Sequence, residues 1–357
     1  MTSQSQSVSE SQSPPEPVTV ETSTDRPNWD AYLGGHDQAT IYHDGRWGEV
    51  MRASYGNSAF YMTARRDDKI VGLLQLVWQK SVLWGSHLCS MPYFDAAGIL
   101  ADDEQSRQAL LDSAKQLGKC HATQWVELRQ MSPLDDSLPV RDDKVTMLLQ
   151  LPAGAEAMWK QLKTKVRTKV RKAEKEDFTV LQGRDELLDD FCDIYARAMR
   201  DLGSPPHSRR FFRNILDAFG EDVLMFSVRS ADVPLAASLA LIRGRYFHVP
   251  WSGSDMRFRR TGANRILYWS MLKYAAEAGL STFDFGRSTV DSGTYGFKKE
   301  WGAKPVQLYW QYLLGEGESL PDQRPDSPKY RLMVACWKKL PVCVARAIGP
   351  RIIGKLS

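Results

Sequence analysis

Residues 263–287 read ANRILYWSMLKYAAEAGLSTFDFGR, and the order of elements in this stretch decides the fold. From Ala263 to Ala278 the pattern predicts a largely apolar helix, which Gly279 ends. The strand Thr282-Phe283-Asp284-Phe285 follows and closes on Gly286-Arg287. Residues 102–129, DDEQSRQALLDSAKQLGKCHATQWVELR, repeat the plan with a helix from about Asp102 to Leu117, then Gly118, then a strand Gln124–Arg129. Superposing the two units sets Arg129 against Arg287, an internal period of about 160 residues. A hairpin precedes each unit. The first runs from Phe60–Ala64 through Arg66-Asp67-Asp68-Lys69 into Ile70–Trp78, after a short helix Trp47–Tyr55. The second runs from Val223–Val228 through Ser230-Ala231-Asp232 into Pro234–Ile242, and a strand Tyr246–Trp251 follows it. The spacing predicts one α+β fold used twice, with mixed central sheets.

The 357 residues suffice for about two domains, and 47 Lys and Arg against 43 Asp and Glu leave a net charge of only +4. This balance is too mild to imply nucleic acid, so electrostatic clues come from local clusters. Cys89, Cys120, Cys192, Cys336 and Cys343 are scattered and odd in number, which reads as reduced thiols of a cytoplasmic protein. Shifts in composition set the expected boundaries. They are a disordered leader over 1–27, an N-terminal domain over 28–153, a basic interdomain helix over 154–178, a C-terminal domain over 179–322 with the active site, and a basic amphipathic tail over 323–357.

In the interdomain helix Trp159, Leu162, Val166, Val170 and Ala173 recur at helical spacing, while Lys160, Lys163, Lys165, Arg167, Lys169, Arg171, Lys172 and Lys175 fill most of the remaining circumference. Such a face either solvates the helix or meets an anionic partner. The chain contains no dinucleotide fingerprint, Walker A loop, G-x-S-x-G elbow or H-E-x-x-H, and no metal is required. The pairs Asp102-Asp103, Asp142-Asp143 and Asp189-Asp190 read as caps or solvated faces. Of the six histidines, His207 in Pro205-Pro206-His207-Ser208 and His248 in an aromatic strand are the two that could serve a site, although each also reads as a satisfied internal group.

Between a strand and the long helix, Arg257-Phe258-Arg259-Arg260-Thr261-Gly262-Ala263-Asn264 aims guanidinium and backbone N–H groups at one point suited to phosphate. Arg259-x-x-Gly262 resembles the Q/R-x-x-G-x-G/A loop with which GCN5-related N-acyltransferases (GNAT) hold a pyrophosphate, with Asn264 where Gly or Ala is usual. Downstream, Ser292-Gly293-Thr294-Tyr295-Gly296-Phe297-Lys298 brings hydroxyls and an ammonium beside a strand end. Lys298 there suits the oxyanion of a tetrahedral intermediate and Tyr295 suits protonation of a leaving group; both also suit plain packing and solvation.

The basic helix, Asp284-Phe285-Gly286-Arg287-Ser288 and Tyr295-x-Phe297-Lys298-x-x-Trp301-Gly302 together resemble FemA/FemB-type acyltransferases, and within them the FemAB-like branch associated with PEP-CTERM/exosortase and exopolysaccharide systems. The similarity covers roughly Trp29 to Ser357. It implies two tandem GNAT-like domains joined by the basic helix, with the Phe297-Lys298 pair at the reacting centre and Tyr295 beside it. Donor phosphates are expected on Arg259, Arg260, Gly262 and Asn264, and substrate contacts from Arg167, Arg171, Lys172, Asp284, Arg287, Ser288, Trp251 and His207. The implied activity is transfer of an acyl or aminoacyl group to an amine of a cell-envelope or exopolysaccharide precursor, without a tightly bound cofactor. Two departures leave the donor open between acyl-CoA and aminoacyl-tRNA: Arg129-Gln130-Met131-Ser132-Pro133 lacks the carboxylate usual after the first-domain strand, and no heptad arm is present. From Ser327 onward seven cations and no acids alternate with Leu332, Met333, Trp337, Val344 and Ile348, a pattern that either meets the inner face of the cytoplasmic membrane or packs on the second domain. A catalytically degenerate scaffold of a polysaccharide export complex is the alternative to an enzyme, and DNA is not an expected partner.

Overall fold

A computed structural model describes residues 16–81, 85–320 and 328–355. The chain begins with β1 (Thr19–Ser23), α1 (Asp30–Gly35) and α2 (Arg46–Tyr55). The hairpin β2 (Ser58–Arg66) and β3 (Lys69–Ser81) is followed by β4 (Gly85–Cys89), β5 (Leu100–Ala101), α3 (Glu104–Cys120), β6 (Trp125–Gln130), β7 (Val140–Arg141) and β8 (Lys144–Gln150). Two helices, α4 (Ala155–Gln161) and α5 (Thr164–Ala173), lead into β9 (Thr179–Gly183), α6 (Leu188–Leu202) and α7 (Arg209–Phe219). Then come β10 (Val223–Ser230), β11 (Val233–Arg243), β12 (Tyr246–Ser254), α8 (Ala263–Glu277), β13 (Thr282–Thr289), α9 (Gly293–Glu300), β14 (Lys304–Gln307) and β15 (Tyr309–Leu314). Helices α10 (Pro328–Lys338) and α11 (Val342–Ile353) form the tail. Side chains fix several starts: Asp103 accepts from the Ser106 N–H at α3, Ser208 from Phe211 at α7 and Ser292 from Tyr295 at α9.

The strands form two mixed sheets of matching order, β1-β2-β3-β4-β6-β15-β7 and β9-β10-β11-β12-β13-β8-β14, with β5 beside β3. Strand for strand the two correspond, down to the single parallel pair in each, β4 with β6 and β12 with β13. The sixth strand of each sheet comes from the other half of the chain. Thus β8 enters the second sheet beside β13, and β15 returns to the first sheet beside β6. One face of the first sheet is covered by α3 around Leu110, Leu111 and Ala114; the matching face of the second is covered by α4, α5 and α8 around Val166, Leu267 and Met271. The opposed faces share a third core, in which Trp47 and Phe94 of the first half meet Phe211, Phe212 and Trp251 of the second.

Three expectations change, and the tail takes one of the two positions expected for it. Residues 19–23, assigned to the leader, pair antiparallel with β2 from Thr19↔Arg65 to Ser23↔Tyr61, because Val18 and Val20 pack on the core under α3; residues 1–15 lie outside the described residues. The interdomain helix is broken, since Leu162 turns to extended backbone (ψ 140°) and buries its side chain between α4 and α5. The exchange of β8 and β15 crosses the boundaries expected at 153 and 179, because strand patterning identifies a strand without naming its neighbour. The tail packs on the protein: Arg346 pairs with Asp193, Arg200 donates to Leu340 O at 2.9 Å and Tyr93 to Ile353 O at 2.9 Å. It nevertheless leaves Leu332 (66% exposed) and Met333 (48%) in solvent.

Candidate active site

β12 and β13 run parallel only over Tyr246↔Thr282, Phe247↔Phe283 and His248↔Asp284, although β12 continues to Ser254 and β13 to Thr289. Beyond that point the strands splay. On the other edge of β13 the register with β8 slips between Asp284 and Arg287, which marks a bulge at Gly286 (φ 73°). Only glycine adopts this conformation freely.

Asp284 sits at the mouth of the splay. Its Oδ1 accepts from Thr146 Oγ1 at 2.7 Å and from the Gly286 N–H at 2.8 Å, and its Oδ2 lies 3.2 Å from His248 Nδ1. Burial pushes its pKa up, but these bonds, that of His248 foremost, outweigh burial and hold the carboxyl below the ordinary range. Lys298 reaches the same bulge from α9, where Nζ donates to Gly286 O at 2.9 Å and Arg287 O at 2.8 Å. Burial lowers its pKa to about 8, against the opposing pull of Asp284 and Asp95. Helix α9 is fixed through Phe297, edge-on to Tyr268 with centroids 5.0 Å apart, and through Glu300, which binds Lys169 of α5 and Arg265 of α8, each at 2.5 Å.

A cavity of about 320 Å³ opens between the halves, with Asp284, His248 and Thr146 on one wall and Tyr42, His43 and Asp95 on another. Burial raises the pKa of Asp95, although Arg287 approaches its Oδ1 at 3.3 Å. Burial lowers that of His43 to about 3, so His43 is neutral. A buried and a half-buried carboxyl facing one cavity are therefore driven in opposite directions, an arrangement typical of acid–base sites. Among the described residues no group of His, Cys, Asp and Glu is placed to hold a metal.

In the first half the corresponding positions are Glu127 and Arg129, with no bulge between them. Arg129 Nε therefore reaches Glu127 Oε1 at 2.7 Å in a pair that is 1% exposed on both sides. One extra residue in β13 turns Arg287 away from Asp284 toward Asp95. Both arginines then lie against Trp310, at 4.0 and 4.9 Å from its ring centre.

The residues expected at the site divide. Asp284, Arg287 and Lys298 converge on the bulge, with Ser288 buried beside it and Tyr295 and Phe297 half-buried on α9; Lys298 is not itself a lining residue of the cavity. His207 and Trp251 are corrected to core residues. His207 is enclosed by Tyr93, Tyr195, Phe211 and Trp251, is bonded to Tyr55 at 2.6 Å and has its pKa lowered by burial to about 3. Trp251 is edge-on to Phe94, Phe211 and Phe212. Arg259 and Arg260 are exposed on the loop before α8, and Asn264 is half-buried in its first turn. Gly262 serves packing, since at φ 87° an added Cβ would lie 2.7 Å from Ala173 Cβ of α5. Gly262→Ala is expected to cost about 1–3 kcal/mol, read from the urea midpoint. On α5, Arg171 lies 5.5 Å from the Trp159 ring centre, Arg167 donates to Thr164 Oγ1 at 3.3 Å and Lys172 is exposed. Among the described residues none of these three faces a carboxylate within ion-pair distance. Asp95, Tyr42, Thr146 and Arg243 were not legible as site residues; His248 stood out only as a histidine in an aromatic strand.

Residues 160–299 match the family model described as an acetyltransferase (GNAT) domain. The crystal structure of FemX superposes with a TM-score of 0.62 at 18% identity, covering 88% of this chain and all of that one. This is a tandem GNAT-like fold. The structure of L-PGS from Bacillus licheniformis is similar at a TM-score of 0.55 and 12% identity, over 91% of this chain and 98% of that one. In sequence the chain is similar to the lipid II:glycine glycyltransferase of Staphylococcus aureus (strain COL), with 20% identity over 403 residues, 85% of this chain and 92% of that protein. The stretch that matches the acetyltransferase (GNAT) domain model includes the parallel strand pair that splays at Asp284. No described helix is long and apolar enough to cross a membrane.

Proposed function

We propose that this protein is a FemAB-like N-acyltransferase, which moves an acyl or aminoacyl group from an activated ester to an amine of a cell-envelope or exopolysaccharide precursor, in a system of the PEP-CTERM/exosortase type. The observation that carries the reading is the splay of β12 and β13 at Asp284, with a buried ammonium behind the bulge and a cavity between the halves in front of it. The gap that opens between the splayed strands serves as the entry of the donor. Arg259 and Arg260, with Arg167, Arg171 and Lys172 of the basic helix, offer cations for donor phosphates; acyl-CoA and aminoacyl-tRNA share that chemistry. Lys298 polarises the acyl carbonyl with its remaining N–H, and Tyr295 supplies the proton for the leaving group. The PEP-CTERM association rests on the resemblance of the basic helix and of the Asp284–Ser288 and Tyr295–Gly302 segments.

Thermal shift with CoA esters, charged tRNA and nucleotide sugars tests the donor class. Stabilisation by none of them favours the scaffold reading, for which the two carbonyl bonds of Lys298 give a purely architectural role. The acceptor would show as a mass difference in glycan precursors from cells with and without the protein. A place at the inner membrane face is supported by the cationic tail and its exposed Leu332, Met333, Val344 and Ile348. The variant Leu332→Ser/Met333→Ser is expected to lower co-sedimentation with anionic vesicles several-fold while leaving the melting temperature unchanged; undiminished sedimentation would remove the membrane from the proposal.

A further inference from the structure

The transfer reading leaves open where the acceptor amine rests and what takes its proton. An alkyl amine near neutral pH is an ammonium ion, which cannot attack a carbonyl until it loses a proton. Three groups on the cavity wall meet both needs. Asp284 is ionised and held by Thr146, Gly286 and His248, so its charge is fixed in place with acceptor capacity to spare. Because that carboxylate accepts from His248 Nδ1–H, Nε2 is the ring nitrogen left free to exchange a proton. The imidazole is 5% exposed, lines the cavity and is held in plane by Tyr246, stacked at 5.6 Å, and by Tyr42, edge-on at 5.4 Å. Among the described residues Nε2 has no partner. Asp95 supplies the second acid: its Oδ1 is buried without a hydrogen bond, because the Arg287 contact at 3.3 Å misses bonding geometry. The other cations of the site are engaged elsewhere, Arg243 with Asp44 at 3.4 Å and Lys298 with backbone carbonyls.

We infer that the cavity between the halves seats the acceptor's primary ammonium against Asp95 and Asp284, and that His248 Nε2 accepts its proton. This rests on the transfer reading above. The ammonium gives one proton to His248, and the freed lone pair forms the C–N bond at the donor's acyl carbon. Collapse of the tetrahedral intermediate breaks the bond to the thiol sulfur or ribose oxygen, Tyr295 protonates that leaving group, and the second proton lost by nitrogen restores Tyr295. His248 then returns its proton to solvent.

Glucosamine is the probe, with N-acetylglucosamine as the control that lacks the charge. In protein labelled at histidine Cε1, saturating glucosamine is expected to move one resonance, the one missing from His248→Gln, and N-acetylglucosamine is expected to leave it in place. Asp95→Asn should weaken that response at least ~10-fold. His248→Gln should lower kcat by ~100-fold or more with the donor chosen by thermal shift, with little change in KM for that donor. A wild-type His248 resonance that ignores glucosamine overturns the inference without recourse to any variant, as does equal binding by folded Asp95→Asn. Donor stabilisation read on the same samples separates the failures. If a donor binds and the amine has no effect, only the amine seat falls; if no donor binds, the transfer reading itself falls.

Discussion

Lys298→Met is expected to lower kcat by at least ~100-fold and to leave the protein folded. The substitution keeps length and apolar bulk but removes the charge that faces Gly286 O and Arg287 O. Two terms offset one another in stability. The carbonyls lose their donor, at about 1–3 kcal/mol each where water cannot replace it, and the native state no longer holds a desolvated ammonium, which a pKa lowered from 10.5 to about 8 sets at on the order of 3 kcal/mol. Little change in melting temperature together with a large loss of turnover is therefore the signature of a group kept for chemistry. The pH dependence follows with a definite sign. Turnover that needs the ammonium falls as pH rises through about 8. Stability moves the other way: between about pH 8 and 10.5 the unfolded chain still holds the proton that the native chain has lost, so stability rises with pH across that window. A Lys298→Met enzyme with wild-type turnover would end the catalytic assignment.

Arg129→Met is expected to produce the largest loss of stability in the molecule, about 3–5 kcal/mol, measured by urea denaturation. It strands Glu127, 1% exposed, without its partner, and removes the donor to Phe94 O at 2.7 Å. That carbonyl immediately precedes Asp95, so the variant should also weaken the glucosamine response of His248 before it unfolds. Glu127→Gln combined with Arg129→Met should recover part of the loss, because no unpaired charge remains inside. Arg287→Met, at the equivalent position, should cost about 1 kcal/mol or less, since Arg287 is partly exposed and holds Asp95 only at 3.3 Å. Equal costs at the two positions would contradict the assignment of a structural pair in one half and a functional pair in the other.

Local pattern carried the repeat, the hairpins and the Asp284–Arg287 strand end, because each depends on residues near in sequence. The exchange of β8 and β15 depends on which edge a strand joins, and alternating apolar residues such as Val145, Met147 and Leu149 fit either sheet equally. β1 was hidden by its setting among Ser, Glu and Pro, although Val18 and Val20 were the signal. His207 stands between prolines and a serine with no partner near in sequence, and only tertiary packing brings Tyr55 and Phe211 around it. Asp95 lies in an irregular segment where Tyr93 adopts φ 75°, with no periodicity to assign it a face. The pairing of Glu127 with Arg129 becomes informative only beside Asp284 and Arg287, where a single inserted glycine separates a closed ion pair from an open one.

The strand exchange also bears on how the molecule is made. On the ribosome, the first sheet waits with an open edge at β6 until residues 309–314 have been synthesised, long after its own helices are complete. A gene cut between the halves would yield two fragments, each lacking a strand that the other carries, so neither could complete its sheet without the other.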